Sequence, residues 1–250
     1  MSKPTLIFVH GGWHDPTCLD RVRKPLEAAG YKCHVPNQPS IGTQAAVKSA
    51  DDDIQLIHDL TSKSLSDGED VIVFGHSNGG LKANGALEGL VGDGAKKFKG
   101  KVLGIGLIAA MIPPIVEKGA FKDVPPLDGS WWVFSETEPT FLPNDPTKLF
   151  YNDMSAEDAA YWTSRIVPMA LPTGPLVFYE AWRHVPVSYL ACSEDNGMPF
   201  VQQTAMVKAA QTEGGTVHLT TVKSGHSPFL SMPEKTVEWV KKVAEVELKA

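Results

Sequence analysis

Runs of consecutive apolar residues, each cut short by glycine or proline and followed by apolar positions at helical spacing, recur along this 250-residue chain. Such runs suit strands buried on both faces, as in a parallel sheet, because a strand with one wet face alternates instead. Residues 5–9, 71–74 and 101–110 are such runs, and 31–35, 185–191 and 216–222 are the further strand candidates. Helical spacing follows over 17–29, with Thr17 placed to cap it and Gly30 to end it, and again over 50–65, 78–90, 199–211 and 233–248. The alternation predicts a doubly wound α/β fold with a mostly parallel sheet of about six strands.

Between residues 111 and 184 the alternation stops: prolines are frequent, periodicity is poor, and the stretch is long for a loop inside a compact domain. It reads as an inserted helical lid, which divides the chain into a core over 1–110 and 185–250 and a lid over 111–184. Twelve aromatic side chains fall in the lid, from Phe121 to Trp182. No repeat, low-complexity tract or linker interrupts the rest.

Composition narrows the function class. With 23 basic against 29 acidic residues the net charge is -6, and no basic block exceeds the short KKFKGK, so nucleic acid and anionic membrane are poor partners. Cys18, Cys33 and Cys192 are odd in number and lack metal-ligand spacing, which reads as reduced thiols of an intracellular protein. The apolar run near Met1 is too short for a signal-peptide core, and no segment reaches the ~18 apolar residues of a membrane span. A soluble cytoplasmic protein acting on a small molecule, without metal or cofactor, is the expectation; a homodimer is left open.

The chemistry gathers at VIVFGHSNGG, Val71 to Gly80. Gly75-His76-Ser77-Asn78-Gly79 fits G-x-S-x-G, and it follows an apolar strand and opens a helix rich in Gly and Ala, the strand–turn–helix context the motif requires. Gly75 and Gly79 leave room at a sharp turn, where Ser77 would take a strained backbone and present its hydroxyl above the sheet edge. A serine hydroxyl is a weak nucleophile at neutral pH, so a base must reach it and an acid must orient the base. For this turn type the chain order is Ser, Asp, His, each partner following a later strand. His226, in the turn-forming KSGHSP after the 216–222 strand, is the candidate base. His218 and His58 fall inside predicted elements, His34 near a strand end and His184 before a strand; His10 and His14 flank the first turn. The CSEDNGMP loop after the 185–191 strand offers Glu194 and Asp195; Asp195, shorter and next to Asn-Gly, is preferred, with Glu194 the alternative. An oxyanion formed during attack needs two preorganised N–H donors. Asn78, directly after the nucleophile, supplies one; Gly12 of the HGG turn supplies the other, with Trp13 the fallback. Trp13, His76, Trp131, Trp132, Trp162 and Trp182 are the candidate substrate-binding residues.

Taken together, FVHGGWH, LEAAGYKCHVPNQPS, GHSNGG, YLACSEDNGMP and SGHSPF resemble the α/β-hydrolases over nearly the whole chain. The likeness is to the compact group that includes plant methylesterases, hydroxynitrile lyases and many fungal and bacterial esterases. The resemblance carries the nucleophile onto Ser77, the acid onto Asp195, the base onto His226 and the oxyanion donors onto Gly12 and Asn78. It also implies a shortened sheet, since the two strands that usually precede the first helix are missing. Hydroxynitrile lyases of the group carry a threonine where this chain has Gly11 and a lysine where it has Ser227. Without that cation nothing obvious stabilises a cyanide leaving group, so hydrolysis of a carboxylic ester or lactone is favoured. Cleavage of a carbon–carbon bond or an amide by the same residues, or a receptor that keeps the site for binding, are the competing expectations.

Overall fold

The structure, a computed structural model, describes residues 3–43, 45–113, 131–172 and 178–247. Its strands are β1 (Thr5–Val9), β2 (Cys33–His34), β3 (Val71–His76), β4 (Val102–Ile108), β5 (Trp132–Phe134), β6 (Thr140–Pro143), β7 (Met169–Ala170), β8 (Val187–Cys192) and β9 (Val217–Val222). Six form one sheet in the order β2-β1-β3-β4-β8-β9, and every pairing in it is parallel. This is the six-stranded, parallel sheet that the alternation of strands and helices predicts. The helices are α1 (Asp20–Ala28), α2 (Ala50–Ser66), α3 (Gly79–Gly85), α4 (Pro146–Phe150), α5 (Ala156–Thr163), α6 (Phe200–Thr212), α7 (Pro228–Ser231) and α8 (Pro233–Lys242).

Alternate side chains of the central strands serve opposite layers. Leu6, Phe8, Ile72 and Phe74 pack with Val22 and Leu26 of α1 and Val237 and Val240 of α8. Ile7, Val9, Val71 and Val73 pack with Ile57 and Leu65 of α2, Ala83 of α3, and Met206 and Ala210 of α6. Each such Val, Leu, Ile, Phe or Met side chain, fully buried, stabilises the fold by about 1.5–3 kcal/mol. Helix α2 starts on a capping box in which Ser49 and Asp52 exchange hydrogen bonds. The first helix departs from expectation at its start: Asp15, not Thr17, is the cap, accepting the Thr17 N–H ahead of a 3-10 turn over Pro16–Leu19.

Strand register sets where the loops emerge. Val9 pairs with Gly75 and His76 with Ile108, so the turns after β1, β3 and β4 leave the sheet side by side. Cys192 pairs with Val222, so the loops after β8 and β9 begin at one level.

Between β4 and β8 the described residues are not purely helical. They hold a three-stranded antiparallel sheet, β5-β6-β7, together with α4 and α5. Phe121 and the rest of 114–130 and 173–177 lie outside the described residues. The three cysteines are unpaired, and burial raises the thiols of Cys18 and Cys192 well above their ordinary range.

Candidate active site

Only Ser77 and Asn78 separate β3 from α3. Ser77 has φ 51°, a left-handed conformation that costs a side-chain-bearing residue about 1–3 kcal/mol and persists only where its surroundings enforce it. Here they do: the Ser77 N–H donates to Ile108 O at 3.2 Å, and its carbonyl accepts the N–H groups of Gly80 and Met111, both at 3.1 Å. The glycines permit the turn. A Cβ on Gly75 would lie 2.8 Å from Gly79 O, and one on Gly79 would lie 2.4 Å from Val9 O. The sequence-level reading of a strained, glycine-flanked serine is therefore met in the backbone.

The structure brings Asp195, and not Glu194, to His226. His226 Nδ1 lies 2.8 Å from Asp195 Oδ2; since a carboxylate only accepts, the nitrogen facing it is the donor, the tautomer whose neutral ring presents its lone pair at Nε2. Both residues are buried. Asp195 accepts three further hydrogen bonds: Gly197 N–H (2.7 Å) and Met198 N–H (2.8 Å) at Oδ1, and Gln203 Nε2 (2.9 Å) at Oδ2. A buried carboxylate held this way is compensated and fixed in one orientation. Glu194 is exposed and faces Lys223 at 3.4 Å.

Three supporting residues escape sequence reasoning. Gln203, fully buried on α6, binds Asp195 while its carbonyl oxygen accepts Cys192 N–H at 3.0 Å, joining the acid to the end of β8. Its one signal is the pair Gln202-Gln203 in the first turn of the predicted helix. Asn152 donates to Glu194 O at 2.9 Å, and Asp153 accepts Gly225 N–H at 2.7 Å and Ser224 Oγ at 3.0 Å. These two neighbours, in the turn between α4 and α5, thus grip the acid loop and the histidine loop together. No local pattern in the sequence announces that.

The HGG turn packs directly on the serine: a Cβ on Gly11 would stand 3.1 Å from Ser77 Cβ and 2.7 Å from His76 Nδ1. Among the described residues the backbone N–H groups of Gly12 and Asn78 donate to no protein acceptor. Trp13, at φ 62°, is a second strained residue.

The aromatic candidates divide. Trp13 donates its indole N–H to Phe141 O at 3.0 Å and stacks on Trp132 at 4.8 Å and on Phe150 at 5.8 Å; Phe150 in turn lies 5.3 Å from the His226 ring. Trp131 meets Trp132 edge-on at 6.4 Å, and both are half-buried. An apolar wall therefore runs from Trp132 to the histidine. His76 does not face substrate space. It is buried against His226 and Phe229, both 4.7 Å ring to ring, and its Nε2–H donates to His226 O at 2.9 Å. Trp182 is also no part of the site: it is 1% exposed, bonds Pro113 O, and packs in the layer of α2, α3 and α6. Trp162 packs beside Tyr161 and borders a separate open groove with Thr17, Asp20, Arg21 and Arg165.

A model of the alpha/beta hydrolase family matches residues 6–239. "Alpha/beta hydrolase nvfD" of Aspergillus novofumigatus (strain IBT 16806) is 24% identical over 249 residues, covering 98% of both chains. "Methylesterase 7" of Arabidopsis thaliana is 26% identical, over 98% of this chain and 97% of that one. Among solved structures, polyneuridine aldehyde esterase superimposes with a TM-score of 0.77 at 18% identity, over 98% of this chain and 100% of that one.

Proposed function

This chain belongs to the alpha/beta hydrolase family, and from that premise we propose that it is a serine hydrolase cleaving a carboxylic ester or lactone of an apolar or aromatic small molecule. The observation that carries the proposal is the strained Ser77 just past the end of β3 together with a buried His226–Asp195 pair, 2.8 Å apart, in the loops after β9 and β8 of the same sheet. Ser77 Oγ attacks the carbonyl carbon and His226 Nε2 takes its proton; Asp195 holds the imidazolium that results. The N–H groups of Gly12 and Asn78 receive the charge that develops on the carbonyl oxygen. Collapse breaks the bond to the alcohol oxygen, which leaves with the proton from His226. Water, deprotonated by the same ring, then adds to the acyl-serine, and the acid is released as Ser77 regains its proton. Esterases among the relatives support this direction of chemistry.

The wall of Trp132, Trp13 and Phe150 argues for an apolar acyl or aryl group beside the histidine. Residues 111–184 act in this reading as the lid, with Trp131 and Trp132 facing substrate. A fluorophosphonate probe followed by peptide mass spectrometry tests the core claim. Label should appear on Ser77, and Ser77→Ala should lose at least about a thousandfold in kcat/KM on a panel of aryl and alkyl esters and lactones. An unlabelled Ser77 with unchanged turnover in Ser77→Ala would falsify it. A β-diketone run beside the esters separates hydrolysis from carbon–carbon cleavage.

A further inference from the structure

The HGG turn is held by side chains to an unusual degree. Gln38 Nε2 donates to His10 O at 2.7 Å, His10 Nδ1 lies 3.0 Å from Gly11 O, and His14 Nδ1 lies 2.7 Å from Gly12 O. A carbonyl only accepts, so both imidazoles carry their proton on Nδ1. The next carbonyl, of Trp13, accepts Val167 N–H at 3.0 Å. Across a trans peptide the C=O of one residue and the N–H of the next point in opposite directions, so anchoring a carbonyl also aims the N–H behind it. The bond to Gly11 O aims the Gly12 N–H; the bond to Gly12 O aims that of Trp13; the bond to His10 O aims that of Gly11.

Each anchor has its own backing. Tyr151 OH lies 2.8 Å from His14 Nε2, the lone-pair nitrogen, and so donates to it. The Gln38 amide could turn either face to His10 O, but only the NH₂ face can bond a carbonyl. Lys82 Nζ, 2.8 Å from Gln38 Oε1, excludes the flipped orientation, since a cation has nothing to accept with. Lys82 is buried on α3 and paired with buried Asp53 at 2.6 Å, which also accepts Ser40 Oγ at 2.5 Å. A buried ion pair is weak evidence for stability, because desolvation offsets the attraction; here it fixes which way an amide faces.

We propose that His10, His14 and Gln38 are positioning residues that lock three successive peptide planes of the HGG turn and so keep the Gly12 N–H aimed at the anionic oxygen, Lys82 acting through Gln38. This deepens the hydrolase reading and rests on it for the identity of the oxyanion. None of the four is a catalytic residue.

The test compares Gln38→Met, His14→Leu and His14→Asn with wild type; the asparagine amide keeps a donor near the Nδ1 position. Turnover of an aryl ester is measured beside the affinity for an aryl boronic acid, which forms a tetrahedral adduct, and for the matching methyl ketone, which binds as a ground state. Gln38→Met and His14→Leu should lose about tenfold to a hundredfold in kcat/KM and in boronate affinity alike, with ketone affinity within about twofold, because a misaimed donor hurts only the charged state. His14→Asn should recover most of the loss. Folded variants that keep kcat/KM and boronate affinity within about twofold, or that lose ketone and boronate binding equally, overturn the proposal. Should Gln38→Met not fold, the His14 pair decides alone. Failure of the hydrolase reading shows separately, as a wild type whose Ser77 takes no fluorophosphonate. In that event the backbone 15N shifts of Gly11, Gly12 and Trp13 still report whether the anchors hold, and unchanged shifts in both variants refute them.

Discussion

At the scale of single residues, Asp195 is distinguished from Glu194 by what surrounds it, not by its charge. Four donors converge on its carboxylate, whereas its neighbour meets solvent and Lys223. Gln203 is the donor whose loss is most informative, since Met fills its volume but can bond neither Asp195 nor Cys192. Gln203→Met should lower ester kcat/KM about tenfold to a hundredfold by letting the acid turn away from His226, and the pH–rate profile should change shape with it. A variant with wild-type rate and profile would show that Gly197 and Met198 hold the acid unaided. Glu194→Gln, by contrast, should leave kcat/KM within about twofold. Ser77, Asp195 and His226 could be singled out in the chain because each sits in a short turn motif after a predicted strand. Gln203, Asn152 and Asp153 were not, because their partners are distant in sequence and a polar residue on a helix or turn carries no mark of where it points.

At the scale of elements, the junction of β1, β3 and α3 leaves no room for a methyl group. A Cβ on Gly79 would stand 2.4 Å from Val9 O and 2.7 Å from His10 O, both backbone atoms that cannot swing aside. Gly79→Ala must therefore push α3 off the sheet, at a cost of about 1–3 kcal/mol or more. A thermal melt should show it as a Tm lowered by several degrees, with activity lost beyond what the lowered Tm explains; an unchanged Tm would contradict the packing. The parallel sheet and its flanking helices were legible because apolar runs in the central strands and helical spacing in the helices each persist for several residues. The stretch between β4 and β8 was not. Its strands span two to four residues, too few for a period to emerge, and its aromatics looked alike until their neighbours were known. Trp13 and Trp132 stack at the site, while Trp182, equally aromatic, fills the opposite layer.

At the scale of the whole molecule, the histidines of the centre make folding depend on pH. Burial lowers His10 to about 3 and His14 to about 4, and it holds His76 well below the usual imidazole value of 6.5. Above about pH 6.5 folded and unfolded chains alike keep these rings neutral, and their share of stability is intact. As pH falls below that value the unfolded chain binds protons that the folded chain refuses, so stability drops by up to about 1.4 kcal/mol per pH unit for each ring. Melting temperatures should therefore fall steeply between pH 6.5 and pH 4, and His14→Asn should flatten the slope; equal slopes in the two proteins would contradict the burial. The turn of Asn152 and Asp153 has a consequence of a mechanical kind. Because one short turn is tied to both the loop of Asp195 and the loop of His226, the two loops share a single point of reference. A displacement of that turn carries Asp195 and His226 along as one body, so their 2.8 Å separation is insulated from rearrangements elsewhere between β4 and β8. On the proposed reading, the surrounding wall can then be reshaped for a different acyl or alcohol group while the pair keeps its alignment.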